Sequence, residues 1–163
     1  MAHDTKEVRQ DLGKLVTLRE LQKGDLEIIR KWRNENRQFF FTQTEITPEM
    51  QINWYIKRYV TNPDDTIFVV FYENIPVGTL AIIKRGNDFE LGRVMLGEKK
   101  YKRHGIMGGA VEKLLANYET KNKNQRIFLE VLKGNKSATS FYEKHGFLTV
   151  GENEKEFIME RYV

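Results

Sequence analysis

Apolar positions along the chain alternate between two periods, and the switches between them mark the elements. Residues 1 to about 15 are polar and heavily charged and read as an N-terminal extension ahead of a single domain covering 16–163. Val16–Glu20 has the pattern of a short strand. Gly24-Asp25 opens a helix in which Leu26, Ile28, Ile29 and Trp32 fall at helical spacing. Thr47-Pro48-Glu49 predicts a second helix, with Thr47 as N-cap and Pro48 at the first helical position, running to about Val60 before Asn62-Pro63. The period then shortens. Ile67–Tyr72, Val77–Lys84 and Phe89–Leu96 are rich in β-branched and aromatic residues, with Glu73-Asn74 and Arg85-Gly86-Asn87-Asp88 between them as turn signals. They predict an antiparallel meander.

A glycine-bearing loop follows, then a helix from about Ile106 to Tyr118, a polar loop at Lys121–Gln125 and a strand at Arg126–Leu132. A last helix, Lys136 to His145, ends at Gly146, and Phe147–Val150 and Phe157–Tyr162 close the chain as a strand pair. The order β-α-α-β-β-β-α-β-α-β-β predicts an α/β (α+β) domain with a mixed sheet.

Composition narrows the function classes. An apolar fraction of 40% supports a packed core and excludes wholesale disorder. The absence of cysteine removes disulfides, thiolate metal sites and a cysteine nucleophile. The polar start Met1-Ala-His-Asp-Thr-Lys-Glu has no signal-peptide core, and the apolar runs are strand-sized, so the expectation is a cytoplasmic protein without membrane partners. A net charge of +4 suits an anionic ligand such as a nucleotide or CoA. Nucleic acid would call for a basic stripe with interleaved aromatics, whereas these Lys and Arg residues are scattered.

Two segments carry candidate chemistry. In Lys102-Arg103-His104-Gly105-Ile106-Met107-Gly108-Gly109, glycines between a strand and a helix free the backbone to turn its N–H groups toward an anion. The spacing is neither that of a dinucleotide-binding turn nor that of a P-loop. A tight strand-to-helix turn with incidental basic residues is the competing reading, and for His104 a solvated loop side chain. In the second segment, Gly134-Asn135 leads into Lys136–Phe147; Asn135 is placed to cap the helix, and Tyr142 to lie half-buried with Ala138 and Phe141. A phenol there has a polar tip in need of a partner.

The pattern Asn135-x-x-Ala138-x-x-Phe141-Tyr142-x-x-x-Gly146-Phe147, preceded by Leu129-Glu130-Val131, resembles the C-terminal motif of GNAT acetyltransferases. The loop Lys102–Gly108 resembles their acetyl-CoA signature, Q/R-x-x-G-x-G/A, on the corresponding strand and helix. Lys102 stands where that signature has Gln or Arg, keeping charge but losing the planar fork, and Met107 where it has Gly or Ala. The resemblance covers about Leu15 to Val163. It implies the GNAT fold: a central mixed, mostly antiparallel twisted sheet flanked by about four helices.

It also implies acetyl-CoA as cosubstrate and no metal. The third meander strand would splay from the next, with the backbones of Val94, Met95 and Leu96 pairing with pantetheine. Lys102, Arg103, His104, Gly105, Ile106, Met107 and Gly108 would hold the pyrophosphate, and Asn135 would contact the pantetheine arm. Tyr142 would be the general acid toward the leaving sulfur. A backbone N–H near Met95 or Leu96 would polarise the thioester carbonyl. Glu90 and Glu130 match positions that supply the base in different members; for each, a surface carboxylate at a strand end is the alternative.

In the N-terminal half, Trp32-Arg33-Asn34, Phe39-Phe40-Phe41 and Ile46–Tyr55 resemble the subgroup acting on nucleotide-linked amino sugars, while aromatic packing between two helices explains the same residues. The implied partner is a small-molecule amine acceptor, and the implied assembly a monomer or homodimer. Acetylation of a protein N-terminus, a polyamine or an antibiotic, and a non-catalytic CoA-binding module, stand as alternatives.

Overall fold

The computed structural model describes residues 14–119 and 125–161. The extension read at residues 1–15 and the loop read at 121–125 therefore lie largely outside the described residues. The elements follow the predicted order: β1 (Val16–Glu20), α1 (Leu26–Glu35), α2 (Pro48–Trp54), β2 (Asp65–Tyr72), β3 (Ile75–Arg85), β4 (Asp88–Leu96), α3 (Ile106–Glu119), β5 (Ile127–Leu132), α4 (Lys136–Lys144), β6 (Phe147–Glu152) and β7 (Glu156–Arg161).

Capping chemistry sets the helix starts. The Thr47 side chain accepts from Met50 N–H with Pro48 next in line, and α2 continues through a π-helical turn, Tyr55–Tyr59, before Val60. Within that turn Tyr59 stacks on Trp54 and Tyr55, and its hydroxyl accepts from Ile67 N–H at 3.1 Å, tying the turn to β2. Asn34 anchors the segment before α2: its side-chain amide donates to Ile46 O at 2.9 Å and accepts from Ile46 N–H at 2.8 Å.

The strands form one sheet in the order β1-β2-β3-β4-β5-β7-β6. All neighbours are antiparallel except β4 and β5, which run parallel. The alternation of side chains across the pleat divides the core in two. On one face Val70, Leu80, Ile82, Leu91, Ile127, Leu129 and Met159 pack against α3 and Phe147. On the other, Ile67, Val69 and Ala81 pack against Leu21, Leu26, Trp54 and Tyr59 from the α1–α2 region. Odd and even residues of one strand thus serve opposite faces, which decides where each candidate side chain points. Among the described residues, no helix is long and apolar enough to cross a membrane.

Candidate active site

The sheet opens where β4 meets β5. The two strands are paired only at Phe89–Ile127 and Glu90–Phe128. Beyond those pairs β5 continues against β7 to Leu132, and β4 continues against β3 to Leu96. From Leu91 onward the edge of β4 that faces β5 therefore has no strand beside it. That edge includes Val94, Met95 and Leu96, the residues expected to pair with an extended ligand.

A bulge re-aims this stretch. Thr79 lies opposite Met95 and Ala81 opposite Gly92, so Leu80 faces two residues, Arg93 and Val94. Arg93 adopts φ 49°, a left-handed conformation rare for a residue with a side chain. The hydroxyl of Thr79, 2% exposed, donates to Arg93 O at 2.8 Å and holds the distorted carbonyl in place. A bulge of this kind turns the backbone groups that follow it out of the ordinary ladder. No local pattern announces it, because the usual markers of positive φ, Gly and Asn, are absent at Arg93.

The exit of β4 is pinned by close approaches. The N–H groups of Gly97 and Glu98 both donate to Val77 O, at 2.8 and 3.0 Å. A Cβ on Gly97 would lie 2.0 Å from Cδ2 of Trp32, so the backbone lies flat on a buried indole. The indole Nε1 donates to Glu98 Oε1 at 3.0 Å, completing the tie between α1 and the loop. Gly78 has a similar role, since a Cβ there would sit 2.3 Å from Met95 O.

The loop itself runs through a 3-10 turn, Lys99–Tyr101, and two left-handed residues, Arg103 at φ 69° and Gly105 at φ 74°. The first bond of α3 is Gly109 N–H to Gly105 O at 3.0 Å. The amides ahead of it, Ile106 to Gly108, have no intrahelical acceptor, the usual state of a helix start and a favourable place for an anion. Lys102, Arg103, His104 and Gly105 are exposed, Ile106 is buried in the core, and Met107 is half-buried with its sulfur 3.1 Å from the Cβ position of Gly78. His104 stands edge-on to Tyr101.

At Gly108 the structure shows a packing constraint that its motif position does not announce. A Cβ there would meet His145 Nε2 at 2.7 Å and Cε1 at 2.9 Å, so the missing side chain makes room for α4 against α3. His145 is held in turn: its Nδ1 lies 2.9 Å from Glu112 Oε1, and Arg161 donates to both Glu112 oxygens at 3.1 and 3.0 Å. Burial would raise the Glu112 carboxyl, but hydrogen bonds from Arg161 and His145 hold it below its ordinary value. This network fixes the end of α4, and no local sequence pattern announced it.

Asn135 caps α4 as its position predicted, Oδ1 accepting from Ala138 N–H at 3.1 Å. Tyr142 sits one turn before the end of that helix, its ring edge-on to Phe141 and Phe147 at 5.3 and 5.8 Å. Its hydroxyl makes no hydrogen bond among the described residues. The protein crowding it pushes the phenol pKa well up, so the hydroxyl keeps its proton.

The two candidate bases differ. Glu90 is committed to Arg85, whose Nε and Nη2 both donate to Oε1, at 3.0 and 2.9 Å. Glu130 projects from β5 on the same face of the sheet, exposed and without an ion pair among the described residues. Residual desolvation, then the charges of Glu156 and Glu90, raise its pKa, with Arg85 opposing.

A family profile, Acetyltransferase (GNAT), matches residues 26–147. The chain belongs to the acetyltransferase (GNAT) family. As such it is an acyltransferase, and the mixed seven-stranded sheet with four α-helices formed by its described residues is the GNAT fold. Solved GNAT-like structures share it. A spermidine N-acetyltransferase from Vibrio cholerae, solved with CoA and spermine, superposes with TM-score 0.74 at 20% identity, over 90% of this chain and 95% of that one. Apo FdhC, described as a nucleotide-linked sugar GNAT, gives TM-score 0.69 at 24% identity, over 90% and 85%. A domain from Methanocaldococcus jannaschii gives TM-score 0.77 at 21% identity, over 89% and 96%. At these identities the likeness speaks for the fold alone. No curated protein matches the GNAT chain in sequence.

Proposed function

We propose that this acetyltransferase moves the acetyl group of acetyl-CoA onto a primary amine of a small acceptor, by direct attack in a ternary complex. The observation that carries the reading is the opening between β4 and β5, which leaves Val94–Leu96 free to pair with an extended pantetheine arm. The amides of Ile106–Gly108, with Lys102 and Arg103 beside them, offer the pyrophosphate a helix start of positive potential. Asn135 spends one oxygen on its cap and keeps its amide NH2 for the arm.

In this reading, the backbone beyond the Arg93 bulge donates to the thioester carbonyl oxygen as it gains charge. Glu130, poised by its raised pKa and free of ion pairs, takes the amine proton through water. Glu90, held by Arg85, acts on it only as a neighbouring charge. Tyr142 supplies a proton to the departing sulfur.

The acceptor reading is supported by the α1–α2 face, whose aromatic rings at Trp54 and Tyr55 and guanidinium groups of Arg33 and Arg93 suit the base and phosphates of a nucleotide-linked amino sugar. A polyamine is the second reading, favoured by the negative charges of Glu156 and Glu90, which add to burial in raising the proton affinity of Glu130. An acceptor panel of UDP- and dTDP-linked amino sugars, polyamines, peptides and aminoglycosides, followed by thiol release, tests both. Turnover is expected with one amine class. Acetyl-CoA binding without thiol release for any amine would sink the proposal.

A further inference from the structure

Among the described residues Arg33 is a cation without an anion. Its guanidinium lies flat on the Phe40 ring at 3.5 Å, and Nη2 donates to Thr42 O at 2.9 Å. Nη1 is buried with no acceptor among the described residues. Among the described residues no carboxylate pairs with this side chain. Burial, and then the charge of another cation, Arg93, pull its pKa down. Neighbouring N–H groups on Arg30 and Asn34 are satisfied by Glu27 and Ile46, so the omission is specific to Arg33.

Arg93 occupies the bulge of β4, over Trp54 at 5.8 Å and paired with Asp65. It is partly open to solvent, its side chain 37% exposed. Two guanidinium groups are thus held on aromatic faces, and the one carboxylate at hand, Asp65, is paired with Arg93. A buried donor without an acceptor costs stability, and two cations brought together cost more. A planar fork of N–H donors is the arrangement that binds phosphate or carboxylate oxygens. Phe40, against the guanidinium, and Thr42, on Nη2, belong to a stretch without regular structure, 40–47, which leaves room for a ligand to rearrange it.

The position excludes the pyrophosphate of the cosubstrate as that anion. Arg93 faces the α1–α2 side of the sheet, whereas α3 and its amides lie on the opposite side. We infer that Arg33 and Arg93 form an anion subsite for the acceptor, so that the substrate is an amine that also carries a phosphoryl or carboxylate group. This rests on the acetyltransferase reading above and narrows its acceptor: a polycation would be repelled at this point.

The test is calorimetric titration of the protein, with and without saturating CoA, using UDP, inorganic pyrophosphate, succinate and spermidine. UDP and pyrophosphate report phosphoryl recognition, succinate carboxylate recognition. One anion class is expected to bind at one site in the CoA-saturated protein. Arg33→Gln is expected to weaken it by about tenfold or more, with CoA affinity and melting temperature retained. Arg33→Lys, which keeps charge without the fork, should fall between and serves if the Gln variant folds poorly. Arg30→Gln makes the same change in net charge and should leave anion binding intact. Binding of no anion, or equal binding by wild type and both Arg33 variants, overturns the inference. Failure of CoA itself to bind would count against the cosubstrate reading instead, since Arg33-dependent anion binding is also measured in its absence.

Discussion

Replacing Tyr142 with Phe isolates a single hydroxyl. Because that hydroxyl has no hydrogen-bond partner among the described residues, its removal leaves no protein donor or acceptor stranded. The ring contacts with Phe141 and Phe147, at 5.3 and 5.8 Å, are retained. Stability should therefore change by no more than about 0.5 kcal/mol, the range of substitutions that break no network. If the phenol protonates the leaving sulfur, kcat should fall by about 100-fold, the low end for acid catalysis, or about 2.7 kcal/mol of transition-state stabilisation. kcat and kcat/KM for the acceptor should fall together, because the interaction is made in the transition state.

The assay is thiol release at saturating acetyl-CoA across a pH series, with urea unfolding of both proteins alongside. The raised phenol pKa adds a constraint: Tyr142 stays protonated through the alkaline range of an ordinary assay, so its ionisation should not shape the basic limb of the wild-type profile. A variant that turns over at the wild-type rate, with chemistry limiting, would refute the assignment. So would a loss of activity matched by a large loss of stability, which would make the hydroxyl a structural group.

Glu130→Gln should remove the acidic limb of the kcat/KM profile, and that limb should sit above the ordinary carboxylate range because the Glu130 pKa is raised; an unaltered limb would assign the base elsewhere. Gly108→Ala should destabilise by about 1–3 kcal/mol through overpacking, since its Cβ would lie 2.7 Å from His145, and melting temperature should fall even without ligand. Burial raises the pKa of Tyr59, Tyr118 and Tyr142, so the folded protein keeps protons that the unfolded chain releases near pH 10. Stability should accordingly hold below about pH 10 and decline above it, seen as a lower urea midpoint at pH 11 than at pH 9; equal midpoints would contradict those environments.

What was legible in the sequence was what local rules govern. Thr47 and Asn135 cap helices because a side-chain oxygen within three residues of a free N–H needs no tertiary partner. The meander showed in its alternation, and the β4–β5 opening came through the family resemblance. Where two distant segments decide the outcome, the sequence was silent. The space that Gly108 leaves for His145, far along the chain, shows only in the fold. The Arg93 bulge depends on Thr79 from the neighbouring strand, and the solitary charge of Arg33 is visible only once Arg93 is placed beside it.

The scarcity of rungs between β4 and β5 has a mechanical consequence. The sheet is two plates joined along a seam of two residue pairs, one plate built from β1–β4 and the other from β5, β7 and β6. Across that seam run the contact of His145 with Gly108 and the bridge of Arg161 to Glu112, both made to α3. A ligand lying in the opening would act as a missing slat, adding a second coupling between plates that α3 and the shared core already join. Native-state hydrogen exchange should then show protection rising on both sides of the seam together when CoA is added, including amides far from any ligand atom. The same partition separates the α1–α2 face proposed to select the acceptor, on the first plate, from the Asn135–Tyr142 helix carried by the second, leaving each able to change without rebuilding the other.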